Sequence, residues 1–173
     1  NGWNVKSTYG MQQIAADDWV CNTNQPVTDI HWWGSFLGWN WRNLPYSSLP
    51  ERFHFTIWTD VPAGIIDPFS HPGEVIWEAE CDSYSIEFVG WDFDPRNPNT
   101  PPEACFKFDC YLPENAWFYQ DPGQHVYWLS IAAIYDMPVQ FPWGWKTTPR
   151  LDSQSPDDGV MICPLCGEEI EAP

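Results

Sequence analysis

The fold is indicated most clearly by the stretch RFHFTIWTD at Arg52–Asp60, in which apolar and polar side chains alternate. The alternation places Phe53, Phe55 and Ile57 on one face, with the period of two that is typical of a β-strand. A strand of this kind buries its apolar face against a second layer of structure. The stretch therefore predicts a sheet that packs on a partner.

Similar patterns recur along the chain. We predict further strands at Met11–Val20, Val27–Trp33, Glu74–Glu80, Tyr84–Phe93, Cys105–Leu112, His125–Tyr135 and Pro142–Thr147. The stretch His125–Tyr135 is apolar on both faces, which predicts a central strand. The 18 prolines leave few windows for a helix, because an interior proline costs about 3 kcal/mol. The chain is predicted to be all-β, an antiparallel β-sandwich of jelly-roll or immunoglobulin-like kind, with a barrel as the alternative.

The composition changes after Thr148. Residues 149–159 read PRLDSQSPDDG, which is polar and typical of a linker, and the short apolar segment VMICPLC follows. We predict a β-sandwich domain over residues 1–148 and a C-terminal extension over residues 149–173, formed by an acidic linker and an apolar tail that contains CPLCG.

Charge and composition exclude several classes of partner. Only 7 Lys and Arg residues stand against 24 Asp and Glu, a net charge of -17, so the chain lacks the basic track that nucleic acids require. No apolar run approaches the roughly 18 residues that span a bilayer, so we expect no membrane insertion. Aromatic residues make up 17% of the chain, which favours a folded core over disorder. Six cysteines in such a chain suggest an oxidising compartment, and we expect an extracellular or cell-surface protein.

Five motifs stand out along the chain: PVTDIHWWGS at Pro26–Ser35, FHFTIWTDVPAG at Phe53–Gly64, SHPGEVIWE at Ser70–Glu78, VYWLSIAA at Val126–Ala133 and WGWKT at Trp143–Thr147. Together they resemble an uncharacterised β-sandwich domain found in secreted or surface proteins of planctomycete-like environmental bacteria. The resemblance covers Trp3–Thr148 and implies an extracellular module with no assigned activity. The tail departs from the resemblance.

The cysteines are candidates for disulfide bonds. Six cysteines allow 15 connectivities, and spacing alone does not choose among them. Our preferred local pair is Cys163 with Cys166, and the partners of the others remain open: Cys21, Cys81, Cys105 and Cys110. The alternative for CPLCG is one knuckle of a zinc site, which needs two further ligands.

The loop that contains Asp92, Asp94 and Asn97 places hard oxygen ligands at close spacing, which suits Ca²⁺. The same residue types are common in plain turns, which is the alternative. No cofactor is required by any motif in the chain, and calcium is the one metal that we predict here.

Tryptophans are the candidates for a surface platform. They are Trp32, Trp33, Trp39, Trp41, Trp143 and Trp145. Indole rings pack on the CH-rich faces of sugars and are also enriched at protein interfaces, so these residues predict contact with a glycan or another protein.

No catalytic motif supports an enzyme. The four histidines are scattered, and the sequence contains no metalloprotease, serine-hydrolase or phosphate-loop pattern. We therefore expect a protein without enzymatic activity.

The tail predicts self-association. Its apolar residues Val160, Met161, Ile162 and Leu165 lie on a linker, and such a segment can add to an open sheet edge of another copy. The leading hypothesis is an extracellular structural module, a filament or matrix subunit that assembles through tail and edge strands. The alternative is a carbohydrate-binding module of a bacterial surface protein.

Overall fold

A computed structural model describes residues 2–11, 13–97, 99–121, 123, 126–147 and 159–163, and the backbone of residues 169–171. Strands dominate these residues, together with short 3-10 helices at Tyr46–Ser48 and Glu114–Ala116. The strands are β1 Asn4–Lys6, β2 Ile14–Val20, β3 Pro26–Val27, β4 Asp29–Phe36, β5 Arg52–Val61, β6 His71–Cys81, β7 Tyr84–Asp92, β8 Glu103–Tyr111, β9 Phe118–Tyr119, β10 Val126–Ile134, β11 Trp143–Lys146, β12 Val160–Ile162 and β13 Glu169–Glu171.

Each predicted strand is present, with shifted ends. The motif RFHFTIWTD lies in β5, where Phe53 and Phe55 are fully buried as the alternation predicted. The predicted central strand is β10, which lies between β2 and β5. His125, the first residue of that prediction, lies outside the described residues.

The strands form two main antiparallel sheets, so the prediction of a β-sandwich is confirmed and the barrel is not formed. One sheet has the order β1-β11-β4-β8-β7, and the other has the order β13-β12-β2-β10-β5-β6. The pairs β1·β11, β2·β10, β4·β8 and β5·β6 follow one another as a single antiparallel ribbon whose pairs alternate between the sheets. This rolled ribbon is the jelly-roll arrangement rather than the immunoglobulin-like one.

Aromatic side chains fill the space between the sheets. Trp32 of β4 is 1% exposed, stacks on Phe108 of β8 and meets Phe53 and Phe55 of β5 edge to face. Trp143 of β11 packs against the same cluster and is fully buried. Rings in these orientations add about 0.5–1.5 kcal/mol per pair beyond their buried area, so this cluster holds the two sheets together.

A disulfide also joins the two sheets. Cys81 at the end of β6 bonds to Cys110 of β8, with a Cα–Cα distance of 6.4 Å and 29 residues of sequence separation. Both sulfur atoms lie among the buried residues of the main core. The bond closes a loop that the unfolded chain would otherwise leave open.

The tail contributes strands to the sandwich. β12 pairs antiparallel with β2, and β13 pairs with β12. Val160 and Ile162 are buried on the outer face of this sheet, in a cluster with Ile14, Ala16, Trp128 and Ala132. Leu165 lies outside the described residues. The apolar tail segment therefore finds its partner edge on its own chain.

Candidate functional site

The outer face of the five-stranded sheet carries a compact group of polar and aromatic side chains. On β4 the outward residues are Asp29, His31 and Trp33, and on β8 the residues opposite them in register are Tyr111, Asp109 and Lys107. These six residues form the outer-face patch. Each strand buries its alternate residues in the core, so the period of two that fills the core also assembles the patch.

His31 lies at the centre of the outer-face patch and bridges two carboxylates. Its Nδ1 hydrogen bonds to Asp109 Oδ1 and its Nε2 to Asp29 Oδ2. Imidazole donates from both nitrogens only when it is protonated, so contact with a carboxylate on each side favours the imidazolium form of His31. Neither ring nitrogen is available to accept a proton or to bind a metal.

The carboxylates are held by further donors. Lys107 Nζ lies 2.7 Å from Asp109 Oδ1, and Ser85 of β7 donates to Asp109 Oδ2 at 3.2 Å. Thr28 donates to Asp29 Oδ1 at 2.6 Å. The network therefore spans three neighbouring strands.

The electrostatics of the patch favour fixed charges. The hydrogen bond to Asp109 raises the pKa of His31, and the hydrogen bond to Asp29 and the charges of both carboxylates add to this. The hydrogen bonds from Lys107 and then His31 lower the pKa of Asp109 to about 2. Hydrogen bonds from Thr28 and then His31 lower the pKa of Asp29. The patch therefore favours the ionised carboxylates of Asp29 and Asp109 and the protonated forms of His31 and Lys107.

Trp33 provides the exposed apolar surface of the patch. Its side chain is 47% exposed and stands opposite Lys107 across the strand pair. At the other end Tyr111 is 73% exposed and meets His31 edge to face. The two rings flank the charged network, and the arrangement can combine ring stacking with hydrogen bonds in both directions.

The other predicted platform tryptophans are distributed differently. Trp32 and Trp143 are core residues, so their assignment to a surface platform is wrong: each has the inward parity of its strand. Trp39 and Trp145 are partly buried and pack against the same core. Trp41 is 62% exposed and meets Trp39 edge to face in the loop after β4. Of the six, Trp33 is the one that joins the outer-face patch.

The predicted calcium ligands lie at the far end of the same sheet. Asp94 accepts two hydrogen bonds from the guanidinium of Arg96, which lowers the pKa of the carboxyl group. Asn97 donates its backbone N–H to the carbonyl of Asp94. In the described part of the chain, no group of three or more His, Cys, Asp and Glu residues could hold a metal ion. Calcium at Asp92, Asp94 and Asn97 stays a prediction without geometric support.

The cysteines divide into bonded and free. Beyond the Cys81–Cys110 bond, Cys163 is disulfide-bonded, and its predicted partner Cys166 lies outside the described residues. Cys21 and Cys105 are buried free thiols. Burial raises the pKa of Cys105 to about 11, so this thiol is unreactive.

Sequence reasoning missed most of the outer-face patch, because its two rows are far apart in the chain. His31 and Asp109 are separated by 78 residues and meet only through the register of β4 and β8. The alternating polar positions of each strand were a usable signal. Pairing those rows required the strand order.

Comparison with known proteins gives a family but no activity. Residues 1–172 match the family described as a domain of unknown function (DUF7901), and the match includes the tail. No curated protein and no solved structure matches the chain. Within the described residues, no helix is long and apolar enough to cross a membrane.

Proposed function

The chain belongs to the DUF7901 family, and on that premise we propose that it is a carbohydrate-binding module, without catalytic activity, that acts outside the cell. The observation that carries this proposal is the outer-face patch, where an exposed indole stands beside fixed donors and acceptors. The cross-sheet disulfide supports the location, because such bonds persist in oxidising compartments.

The chemistry of the patch suits hydroxyl groups. A sugar hydroxyl both donates and accepts hydrogen bonds, and the patch offers carboxylate acceptors at Asp29 and Asp109 next to the ammonium donors of Lys107. The indole of Trp33 offers a flat surface for the CH groups of a sugar ring. A linear glycan lying along β4 would meet both features.

The same electrostatics argue against hydrolysis. A glycosidase needs one carboxyl group that stays protonated as a general acid and a second that acts as base or nucleophile. Here the pKa values of Asp29 and Asp109 are both lowered, so neither carboxyl group holds a proton near neutral pH. Both ring nitrogens of His31 are engaged by carboxylates, which argues against a role as general base.

Binding to a glycan panel tests the proposal. We expect at least one soluble polysaccharide to retard the full chain in affinity electrophoresis. Calorimetry then measures the dissociation constants of oligosaccharides prepared from that polysaccharide. Trp33→Ala should weaken binding about tenfold or more, which corresponds to about 1.4 kcal/mol. Tyr46→Ala is the matched control, because Tyr46 is 78% exposed and lies outside the patch. Binding that survives Trp33→Ala, or no retardation by any glycan, contradicts the proposal.

A second candidate function, self-association as an extracellular structural module, is favoured by the pairing of the tail. β12 occupies the edge of β2 and buries Val160 and Ile162 there. The 11 residues 148–158 that precede this segment allow a separation of at most roughly 40 Å between the strand and residue 147. Exchange of β12 between copies would keep each contact and link the chains.

Sedimentation at several protein concentrations, followed by negative-stain electron microscopy, tests this candidate. We expect concentration-dependent oligomers that the double variant Val160→Glu/Ile162→Glu abolishes. Met161→Glu is the control, because Met161 alternates with the buried positions. A monomer at every concentration rules this candidate out.

A further inference from the structure

A cleft of about 380 Å³ lies at the far end of the same outer face, beyond the outer-face patch. Its lining includes Trp3, Asn4, Asn40, Arg96, Glu103 and Lys146. The volume falls at the lower end of the range of small-ligand sites, about 300–1,000 Å³. Asn4, Lys146 and Glu103 come from β1, β11 and β8, so the floor of the cleft is the sheet itself.

The floor carries an ion pair between a buried lysine and a partly buried glutamate. Lys146 has a side chain that is 3% exposed, and its Nζ lies 3.3 Å from Oε2 of Glu103. Glu103 also accepts hydrogen bonds from Ser35 Oγ at 2.9 Å and from the backbone N–H of Gly38 at 2.8 Å. The Lys146 ammonium donates to the Glu103 carboxylate. Lys146 and Glu103 both line the cleft, so this ion pair forms part of its polar surface.

The rim carries a positioned guanidinium. Arg96 Cζ lies 4.1 Å from the centre of the Trp3 ring. Its Nε and Nη2 donate to the carboxylate of Asp94 at 3.1 and 3.2 Å. The guanidinium is held by the ring and the carboxylate, so it loses little freedom when it also donates to a ligand.

The lining mixes charges of both signs. Arg96 and Lys146 stand among Asp92, Asp94 and Glu103, which leaves the cleft with no excess of positive charge. A strongly anionic ligand would meet the carboxylates, and a cation would meet the two bases. A neutral molecule rich in hydroxyl groups can instead accept from the bases and donate to the carboxylates.

We propose that this cleft is a second binding site, and that it takes the terminal residue of a neutral glycan. The inference rests on the proposed function and adds recognition of a chain end to contact along the chain. Ser35, whose hydroxyl donates to Glu103 on the floor of the cleft, lies two residues from Trp33 along β4, about 7 Å at the usual rise of a strand. A glycan chain on the outer-face patch can therefore continue into the cleft.

Titration of the isotopically labelled full chain with single neutral monosaccharides, followed by amide NMR, tests the cleft directly. Glucose, galactose, mannose, xylose and N-acetylglucosamine serve as the probes. We expect saturable shifts of the Gly38 amide, which reports on Glu103, with at least one of them. Arg96→Ala should weaken that binding at least fivefold, and Arg42→Ala, an exposed arginine outside the lining, should leave it unchanged. Absence of shifts at Gly38 with every sugar, or an unchanged affinity in Arg96→Ala, overturns the inference.

The two proposals fail in different ways. Loss of oligosaccharide binding in Trp33→Ala, with no monosaccharide response at Gly38, would leave the outer-face patch as the sole site and overturn the cleft. A monosaccharide response at Gly38 that Arg96→Ala weakens, together with oligosaccharide binding that Trp33→Ala does not change, would support the cleft and overturn the patch.

Discussion

The two outer faces of the sandwich are built from the same alternation of residues but have opposite characters. On the five-stranded sheet the outward positions carry Asp29, His31 and Trp33, which are partly or largely exposed. On the six-stranded sheet the outward positions include Trp128 and Ala132, which are buried in a second apolar cluster. A jelly roll needs only its inner faces to fold, so the contrast shows that one outer face adds a second buried cluster while the other leaves its side chains exposed.

The largest expected effect separates the two faces through their tryptophans. Trp128→Ala should cost about 3–5 kcal/mol of unfolding free energy, because it leaves a cavity in a buried cluster and removes the hydrogen bond from Nε1 to Asp60. Trp33→Ala should change stability by no more than about 0.5 kcal/mol, because its ring is 47% exposed. Urea unfolding of both variants measures the difference. Similar costs for the two substitutions would contradict the division between the faces.

The disulfide lies between the inner faces and belongs to neither outer face, so its removal should affect stability without affecting the outer-face patch. Replacing Cys81 and Cys110 with serine should cost about 3–4 kcal/mol, the chain-entropy value for a loop of 29 residues. Thermal unfolding with and without reductant checks this value, and Cys21→Ser controls for loss of a buried thiol. Where the variant remains folded, ligand binding at Trp33 should be unchanged. A loss of binding without a loss of stability would tie the disulfide to the outer-face patch instead.

The tail gives the next effect. Ile162→Ala should cost about 2 kcal/mol, at the low end for buried isoleucine because β12 is short and near the sheet edge. Met161 alternates with the buried positions Val160 and Ile162, so Met161→Ala should cost less than about 1 kcal/mol of unfolding free energy. Equal and negligible costs in denaturant unfolding would show that the tail does not stabilise the outer face of the six-stranded sheet.

The smallest effect concerns the charged network of the open face. The pKa of His31 is raised above its ordinary value of 6.5, so its stabilising contribution is fully present below pH 6.5 and is lost as pH rises through the raised value. At pH 5.5 the wild type should be more stable than His31→Gln by less than about 1 kcal/mol, because exposed ion pairs are screened by solvent. At pH 9 the difference should be smaller still, because His31 has lost its proton. NMR titration of the His31 ring measures its pKa, which should fall in Asp109→Asn. A ring pKa at or below 6.5 in the wild type would refute the imidazolium assignment.

The strands were predictable from the sequence because alternation and turn residues are local signals. Arg52–Asp60 and Cys105–Leu112 both show the period of two, and both are strands in the structure. The short β1 and β9 were missed because two or three residues carry too little pattern to detect, and β3 was predicted only as the start of the longer strand Val27–Trp33.

The candidate site was harder to predict because parity and register are not local. Trp32 and Trp33 are adjacent in sequence and have opposite environments, and nothing in WW itself says which one faces the core. The pairing of His31 with Asp109 depends on a strand order that the sequence left open. Knowledge of which strands are neighbours in the sheet would have brought the polar rows of β4 and β8 together into one site.

The pairing of β1 with β11 has a consequence for the order in which the molecule is completed. Asn4 lies opposite Lys146, so two residues on the floor of the cleft come from strands that are far apart in the sequence. Contacts across such long sequence separations have a high entropic cost of closure and tend to form late in folding. During synthesis, the cleft cannot assemble until the segment containing Lys146 has left the ribosome. Occupancy of the cleft would therefore require that β1 and β11 have already paired, whereas it does not require the tail strands β12 and β13.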